Sequence, residues 1–230
     1  RSAGCIVNDI LDRKFDKKVF RTKNRPIASG HISIKLGLFY SFCLCLLALT
    51  VLIQFNILTI ILALGSMPLA FTYPLMKRYT YWPQLFLGIT FNYGLILGWT
   101  SITNEITVLP FALYIGAIFW TLGFDTIYGF QDIKDDEIIG LKSTSIKFKS
   151  NPYRFLKICY SIFLSSLLII GFLIKLNLFY FILLITVALQ MFYFQLHKLD
   201  IKKTESCLRV FKSNNFLGLL IFICLIIGKI

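Results

Sequence analysis

Apolar residues run through this chain in blocks of about twenty, separated by short polar segments. Such blocks are found at roughly 34–53, 57–74, 83–103, 108–131, 153–174, 176–196 and 214–228. An uninterrupted apolar stretch of this length matches the hydrocarbon core of a bilayer when coiled as a helix. Their helices lack the polar stripe that a soluble bundle shows to water. The pattern predicts an all-α, polytopic transmembrane helical bundle with seven spans, the last of them short. Residues 1–16 read as the end of a further helix, truncated because the chain opens on Arg1 with a motif only eight residues in. Between this helix and the first span, residues 17–33 form a basic loop. Pro26, Ser29 and Gly30 break helix there, and Ser33 is positioned to cap the next one.

Composition agrees with the pattern. Of 230 residues, 57% are hydrophobic and only 15% charged, with a mean hydropathy of +0.75, whereas a soluble domain carries about 25% charge. Charge placement then orients the spans. Loops 9–35, 75–82, 132–157 and 197–213 hold 21 of the 24 Lys and Arg residues, and the intervening loops are almost uncharged. The excess of cations marks the first set as cytoplasmic. The net charge of +13 is accounted for by that bias and implies no nucleic acid. Six cysteines without CxxC spacing read as small packing residues, and two distant histidines give a zinc site or His-based triad little to stand on. No repeat or soluble insertion divides residues 1–230, which read as a single integral-membrane domain.

The acids carry the chemistry. Eight of eleven fall in two runs, Asp9 to Asp16 and Asp125 to Glu137. On a helix Asn8, Asp12 and Asp16 share one face at four-residue spacing. Asp132 and Asp136 repeat that spacing at the end of the 108–131 span, with Asp125 and Tyr128 on a similar face one and two turns earlier. Both runs belong to the cytoplasmic side by the loop charges and are expected to serve one site. Hard cations such as Mg²⁺ take oxygen ligands, commonly one or two carboxylates plus substrate phosphates. Carboxylates flanked by cations therefore suit a Mg²⁺-diphosphate. The basic candidates are Arg21 and Arg25 in the first loop, Lys77 and Arg78 after the second span, and Lys142 in GLKST. Lys14, Lys17, Lys18, Lys198, Lys202 and Lys203 are expected only to set topology.

The string N8DILD12RKFD16 resembles the NDxxDxxxD motif of the UbiA superfamily of intramembrane prenyltransferases. The following RTKNRPIASG, YPLMKRYTYWPQ at 73–84 and DTIYGFQDIKDDEIIGLKSTSIKF at 125–148 resemble its 4-hydroxybenzoate polyprenyltransferase branch. That resemblance implies Mg²⁺ ligation by Asn8, Asp12 and Asp16 from one side and by Asp132 and Asp136 from the other. It implies substrate or diphosphate contacts at Arg21, Arg25, Lys77, Arg78, Tyr128 and Lys142, with Arg78 and Asp132 as catalytic candidates. The implied reaction moves a polyprenyl chain from its diphosphate to the ring carbon ortho to the hydroxyl of 4-hydroxybenzoate, a step of ubiquinone synthesis. Compared with the family pattern, the first helix and most of the second are missing. The expected partners are the two substrates and the lipid bilayer, with no protein partner implied. The expected location is a bacterial inner membrane, with the mitochondrial inner membrane as the alternative. Rival readings are a UbiA-type enzyme for another aromatic acceptor, a CDP-alcohol phosphatidyltransferase, and a transporter with buried acids. The phosphatidyltransferase signature is absent, and a transporter would place its acids nearer mid-membrane.

Overall fold

The structure is a computed structural model that describes residues 2–19 and 21–230. Its helices, in chain order, are α1 (Ser2–Asp16), α2 (Pro26–Ser29), α3 (Ile34–Leu52), α4 (Ile57–Thr72), α5 (Met76–Tyr79), α6 (Pro83–Asn92) and α7 (Gly94–Thr103). They continue with α8 (Val108–Gly129), α9 (Ile133–Ile139), α10 (Thr144–Lys147), α11 (Pro152–Leu173), α12 (Leu178–Leu189) and α13 (Thr204–Lys229). No strand occurs among the described residues. Among the described residues seven segments are long and apolar enough to cross a membrane: Ile34–Leu52, Ile57–Tyr79, Pro83–Thr103, Val108–Gly129, Pro152–Leu173, Leu178–His197 and Thr204–Lys229. The protein is therefore a multi-pass membrane protein. Large apolar side chains such as Phe39, Phe42 and Leu47 on α3 point outward, which suits lipid and would be costly in water.

Two boundaries differ from the sequence reading. The last span begins at Thr204 rather than near 214. Charged residues in TESCLRVFKS end the hydropathy signal, but Ser206, Cys207, Val210, Asn214 and Leu217 form a buried helical stripe across it. The fourth span ends at Gly129, and residues 130–132 leave the helix through i to i+3 hydrogen bonds, Asp132 N donating to Gly129 O at 3.3 Å. Asp132 therefore precedes a separate short helix, α9, that carries Asp136. The two are not a continuation of the helix bearing Asp125 and Tyr128.

The chain divides into two compact units, one of residues 1–106 with 134–142 and one of residues 107–133 with 143–230. In the first, α3 crosses α1 at Gly37, where a Cβ would lie 3.3 Å from both Ile10 and Ile27 Cδ1. Ser33 caps α3 by accepting from Leu36 N at 3.2 Å, as its position in the sequence predicts. Asn56 caps α4 through Thr59 N and donates to Thr100 O at 2.7 Å, tying α4 to α7. Proline shapes the basic end of α4. Pro68 removes one backbone donor, and Pro74 opens a 3₁₀ turn, Tyr73–Leu75, that redirects the chain into α5. That turn delivers Lys77 and Arg78.

In the second unit α8 and α11 meet closely because α8 offers glycine. A Cβ at Gly116 would overlap Ser166 Oγ, and one at Gly123 would lie 2.8 Å from the Tyr160 ring. Small residues at such seams let helices associate in lipid, where no hydrophobic force drives them together. Trp120 stacks on Phe163 at 5.0 Å between centroids. A neutral polar chain lies inside this unit. Tyr160 OH donates to Gln195 Oε1 at 2.7 Å, Gln195 Nε2 donates to Ser213 Oγ and Asn214 Oδ1, and Trp120 Nε1 donates to Asn214 Oδ1 at 2.8 Å. Gln195 reaches it from a π-helical stretch, Gln190–His197, that follows α12 directly.

Candidate functional site

The first acidic run lies on α1, and helical spacing puts Asn8, Asp12 and Asp16 on one face. Asp12 and Asp16 are buried, at 2% and 6% exposure, which is costly for carboxylates unless partners are supplied. The partners come from distant segments. Lys77 Nζ donates to Asp12 Oδ2. The Arg78 guanidinium lies 3.8 Å from Asp12 Oδ1, donates to Leu11 O at 2.7 Å and sits over the Phe15 ring at 5.1 Å. Arg25 bridges Asp9 and Asp16 at 3.0 and 3.1 Å. Thr22 Oγ1, donating to Asp16 O at 3.1 Å, folds the loop back so that Arg25 can do this.

Lys142 belongs to the same unit. Its backbone N donates to Lys77 O at 2.8 Å, and its Nζ donates to Tyr79 O at 3.2 Å and lies 5.7 Å from the Tyr81 ring centroid. Thus Asp12, Asp16, Arg25, Lys77, Arg78 and Lys142, read from separate motifs, are held in one ion-paired region. Asp136 lies in this unit, where Leu141 N donates to its carbonyl at 2.9 Å. Asp125, Tyr128 and Asp132 belong to the second unit, where the Tyr128 ring packs against Phe211 at 4.5 Å. Asn8 is half-buried and Arg21 exposed. Sequence reasoning left out Phe15, Tyr79 and Tyr81 as supports for the cations. Aromatic rings beside a Lys-Arg pair, as in KRYTY, are the signal that could have found the last two.

The electrostatics of Asp12 are unbalanced. Burial raises its pKa above the ordinary carboxylate value, and the charge of Asp16 adds to this. Lys77 and Arg78 pull it down without reversing the direction. Its Oδ1 is buried without a hydrogen-bond partner, as is Arg78 Nε. Buried polar atoms left this way are unusual and costly. A carboxylate oxygen left without a hydrogen bond has room for a further cation, and a guanidinium N–H left without one suits a phosphate oxygen. Among the described residues no three His, Cys, Asp or Glu side chains gather to hold a metal alone. That donor set fits Mg²⁺ arriving with a phosphate, which supplies the remaining oxygens.

The chain belongs to the UbiA prenyltransferase family, whose model matches residues 1–222. It is 40% identical over 235 residues to 4-hydroxybenzoate geranyltransferase 2 of Lithospermum erythrorhizon, covering 100% of this chain and 75% of that protein. It is 42% identical over 233 residues to the mitochondrial 4-hydroxybenzoate polyprenyltransferase of Homo sapiens, covering 100% of this chain and 62% of that protein. The chain thus spans between 62% and 75% of these relatives' lengths. The apo structure of a UbiA homolog from Aeropyrum pernix K1 superposes with a TM-score of 0.83 at 20% identity, over 100% of this chain and 86% of that one. A UbiA homolog from Archaeoglobus fulgidus bound to GPP and Mg²⁺ gives 0.71 at 18%, over 99% and 83%. At those identities the likeness speaks for the fold.

Proposed function

We infer that the intact protein transfers a polyprenyl chain from polyprenyl diphosphate to 4-hydroxybenzoate, at the carbon ortho to its hydroxyl, in ubiquinone biosynthesis. The observation that carries this reading is identity of about 40% to 4-hydroxybenzoate prenyltransferases along the whole chain. The ion-paired region of α1 gives it a chemical footing. Asp12 and Asp16 are assigned as Mg²⁺ ligands with Asn8 beside them, and Asp132 and Asp136 as the ligands of the second acidic run. When bound, Mg²⁺ would hold the diphosphate and draw electron density toward it.

The side chains then divide the work. Arg78 donates to the diphosphate through the N–H groups not used by Leu11, and Lys77 turns from Asp12 toward the incoming anion. Lys142, Arg21 and Arg25 add positive charge, which favours departure of the diphosphate with the electrons of the C1–O bond. The ring carbon ortho to the phenol supplies the electron pair for the new C–C bond. Its proton then leaves to a carboxylate, for which Asp132 is the candidate, and Tyr128 contacts substrate. Residues 1–230 act as a single prenyltransferase domain in this reading. The location is a bacterial inner membrane, consistent with the abundance of Ile, Phe and Lys in the sequence; the relatives named mitochondrial make that membrane the rival.

The test uses membranes containing the intact protein, labelled 4-hydroxybenzoate and a polyprenyl diphosphate. Label should enter the lipid phase with Mg²⁺ and stop doing so with EDTA. Failure with this acceptor but transfer to another aromatic acid would keep the prenyl chemistry and replace the acceptor. Failure with every aromatic acid offered would reject the assignment.

A further inference from the structure

The start of α11 and the end of the π-helical stretch enclose a feature that the prenyl-transfer reading does not use. An open surface groove of about 630 Å³ runs along Asn151, Tyr153, Arg154, Lys157, Ile158, Ser161 and Ile162. A second, of about 320 Å³, shares Tyr153 and Lys157 and adds His197 and Phe192. No carboxylate lines either one. Neither Arg154 nor Lys157 makes an ion pair among the described residues. The acid nearest in sequence to His197, Asp200, lies beside Tyr153, on which its charge acts, and is paired with Lys203 at 3.6 Å while accepting from Lys202 N at 3.0 Å.

The arrangement is graded along the helix. Arg154, Lys157, Ile158 and Ser161 follow at i, i+3, i+4 and i+7, so they form one exposed stripe of α11. Cations occupy its first turns. Below them Ile158, Ile162, Leu168 and Ile169 continue the stripe as apolar surface, all but Ile162 exposed. From Arg154 to Ile162 the drop is about 12 Å at 1.5 Å per residue, enough to run from a headgroup phosphate to upper acyl carbons. Tyr153 OH donates to Leu199 O at 2.8 Å and so pins the 198–203 loop beside the opening. This end of α11 carries the basic loops, so by charge it faces the cytoplasmic leaflet, where anionic lipids gather.

We propose that Arg154, Lys157 and His197 form a binding site for an anionic phospholipid, with the phosphate between the cations and one acyl chain along Ile158 and Ile162. A neutral zwitterionic lipid would bring an ammonium group into a cluster of cations whose neighbouring carboxylate, Asp200, is already paired with Lys203. Free phosphate would leave the apolar lower wall uncovered.

The test reconstitutes the intact protein in bilayers of equal phosphatidylcholine and phosphatidylglycerol, then extracts it in mild detergent and measures the lipid retained. Phosphatidylglycerol should be enriched on the wild type. Arg154→Gln with Lys157→Gln should weaken its retention roughly twenty-fivefold, at about fivefold per cation near a membrane surface. Lys202→Gln with Lys212→Gln removes the same charge from exposed positions of the same unit and should leave retention unchanged. An equal fall in both double variants would reduce the effect to general surface charge and overturn the site. So would equal retention of the two lipids by the wild type, or full displacement by acyl-free glycerophosphoglycerol. All four substitutions are at exposed positions, so a single symmetrical peak in size exclusion is expected for every variant.

Discussion

The two units of this protein bury polar groups by opposite means. The first buries charge: Asp12 and Asp16 lie near the basic end of α1 with Lys77, Arg78 and Arg25 around them, and two of the polar atoms there make no hydrogen bond. The second buries neutral amides and hydroxyls: Tyr160, Gln195 and Asn214 take Trp120 into a connected chain of hydrogen bonds. An incompletely satisfied charged cluster costs stability and can be completed by a ligand. A satisfied neutral chain has nothing to gain from one and holds helices together. The contrast separates a charged cluster left open to a ligand from a closed neutral one within a single chain.

The sharpest way to break this contrast is at Asp12. Asp12→Ala should lower prenyl transfer by roughly a hundred- to a thousandfold, a loss of the size seen when a principal electrostatic group is removed, with membrane insertion unchanged. Asp132→Ala should do the same; normal turnover in labelled-substrate assays of that variant would remove the second acidic run from the chemistry.

Lys77→Met tests whether the first unit depends on its charge pairing. Breaking a buried pair costs about 3–5 kcal/mol. Because the Lys77 side chain is 26% exposed, roughly 1–3 kcal/mol is expected here after solvent screening, read as a lower unfolding temperature in detergent. Lys77→Arg should recover most of it.

Asn214→Leu addresses the other unit. It removes the acceptor shared by Trp120 and Gln195 and should cost about 0.5–2 kcal/mol, the range of hydrogen bonds between membrane helices. Its turnover at saturating substrate should stay within about threefold of wild type, since truncating a helix-positioning bond removes no transition-state charge. A loss of turnover rivalling that of Asp12→Ala would erase the distinction between the units. The smallest effect belongs to Lys203→Gln, whose exposed pair with Asp200 is worth about 0–1 kcal/mol; both stability and transfer should match wild type.

What could be read from the sequence follows the same division. The spans were legible because lipid demands long apolar runs, and Asp12 and Asp16 stood out because acids are scarce in a chain this apolar. The pairing of Asp12 with Lys77 was not legible, since 65 residues separate them and only the turn around Pro74 brings them together. The break after Gly129 was hidden because GFQDIKDDEII keeps helical spacing of its acids through the turn. The early start of α13 was masked by charge, although its stripe of Ser206, Cys207 and Val210 was present. Gln195 and Asn214 gave no signal at all: a neutral amide in an apolar run has no periodicity of its own, and the π-helical stretch that turns Gln195 inward leaves no mark in hydropathy.

The discontinuity of the first unit has a consequence for biosynthesis. Its last piece, residues 134–142, emerges from the ribosome only after α8, the opening helix of the other unit. That piece carries Asp136 and Lys142, whose backbone N–H closes on Lys77 O. At about 5–20 residues per second, translation adds a delay of roughly 2–7 s between Ile106 and Lys142. During that interval the nascent chain holds the Asp12 and Lys77 side chains without the segment that finishes their surroundings. The charged region therefore matures late, after the fourth span has been made, and a chain arrested at residue 106 would display an incomplete version of it to the membrane insertion machinery.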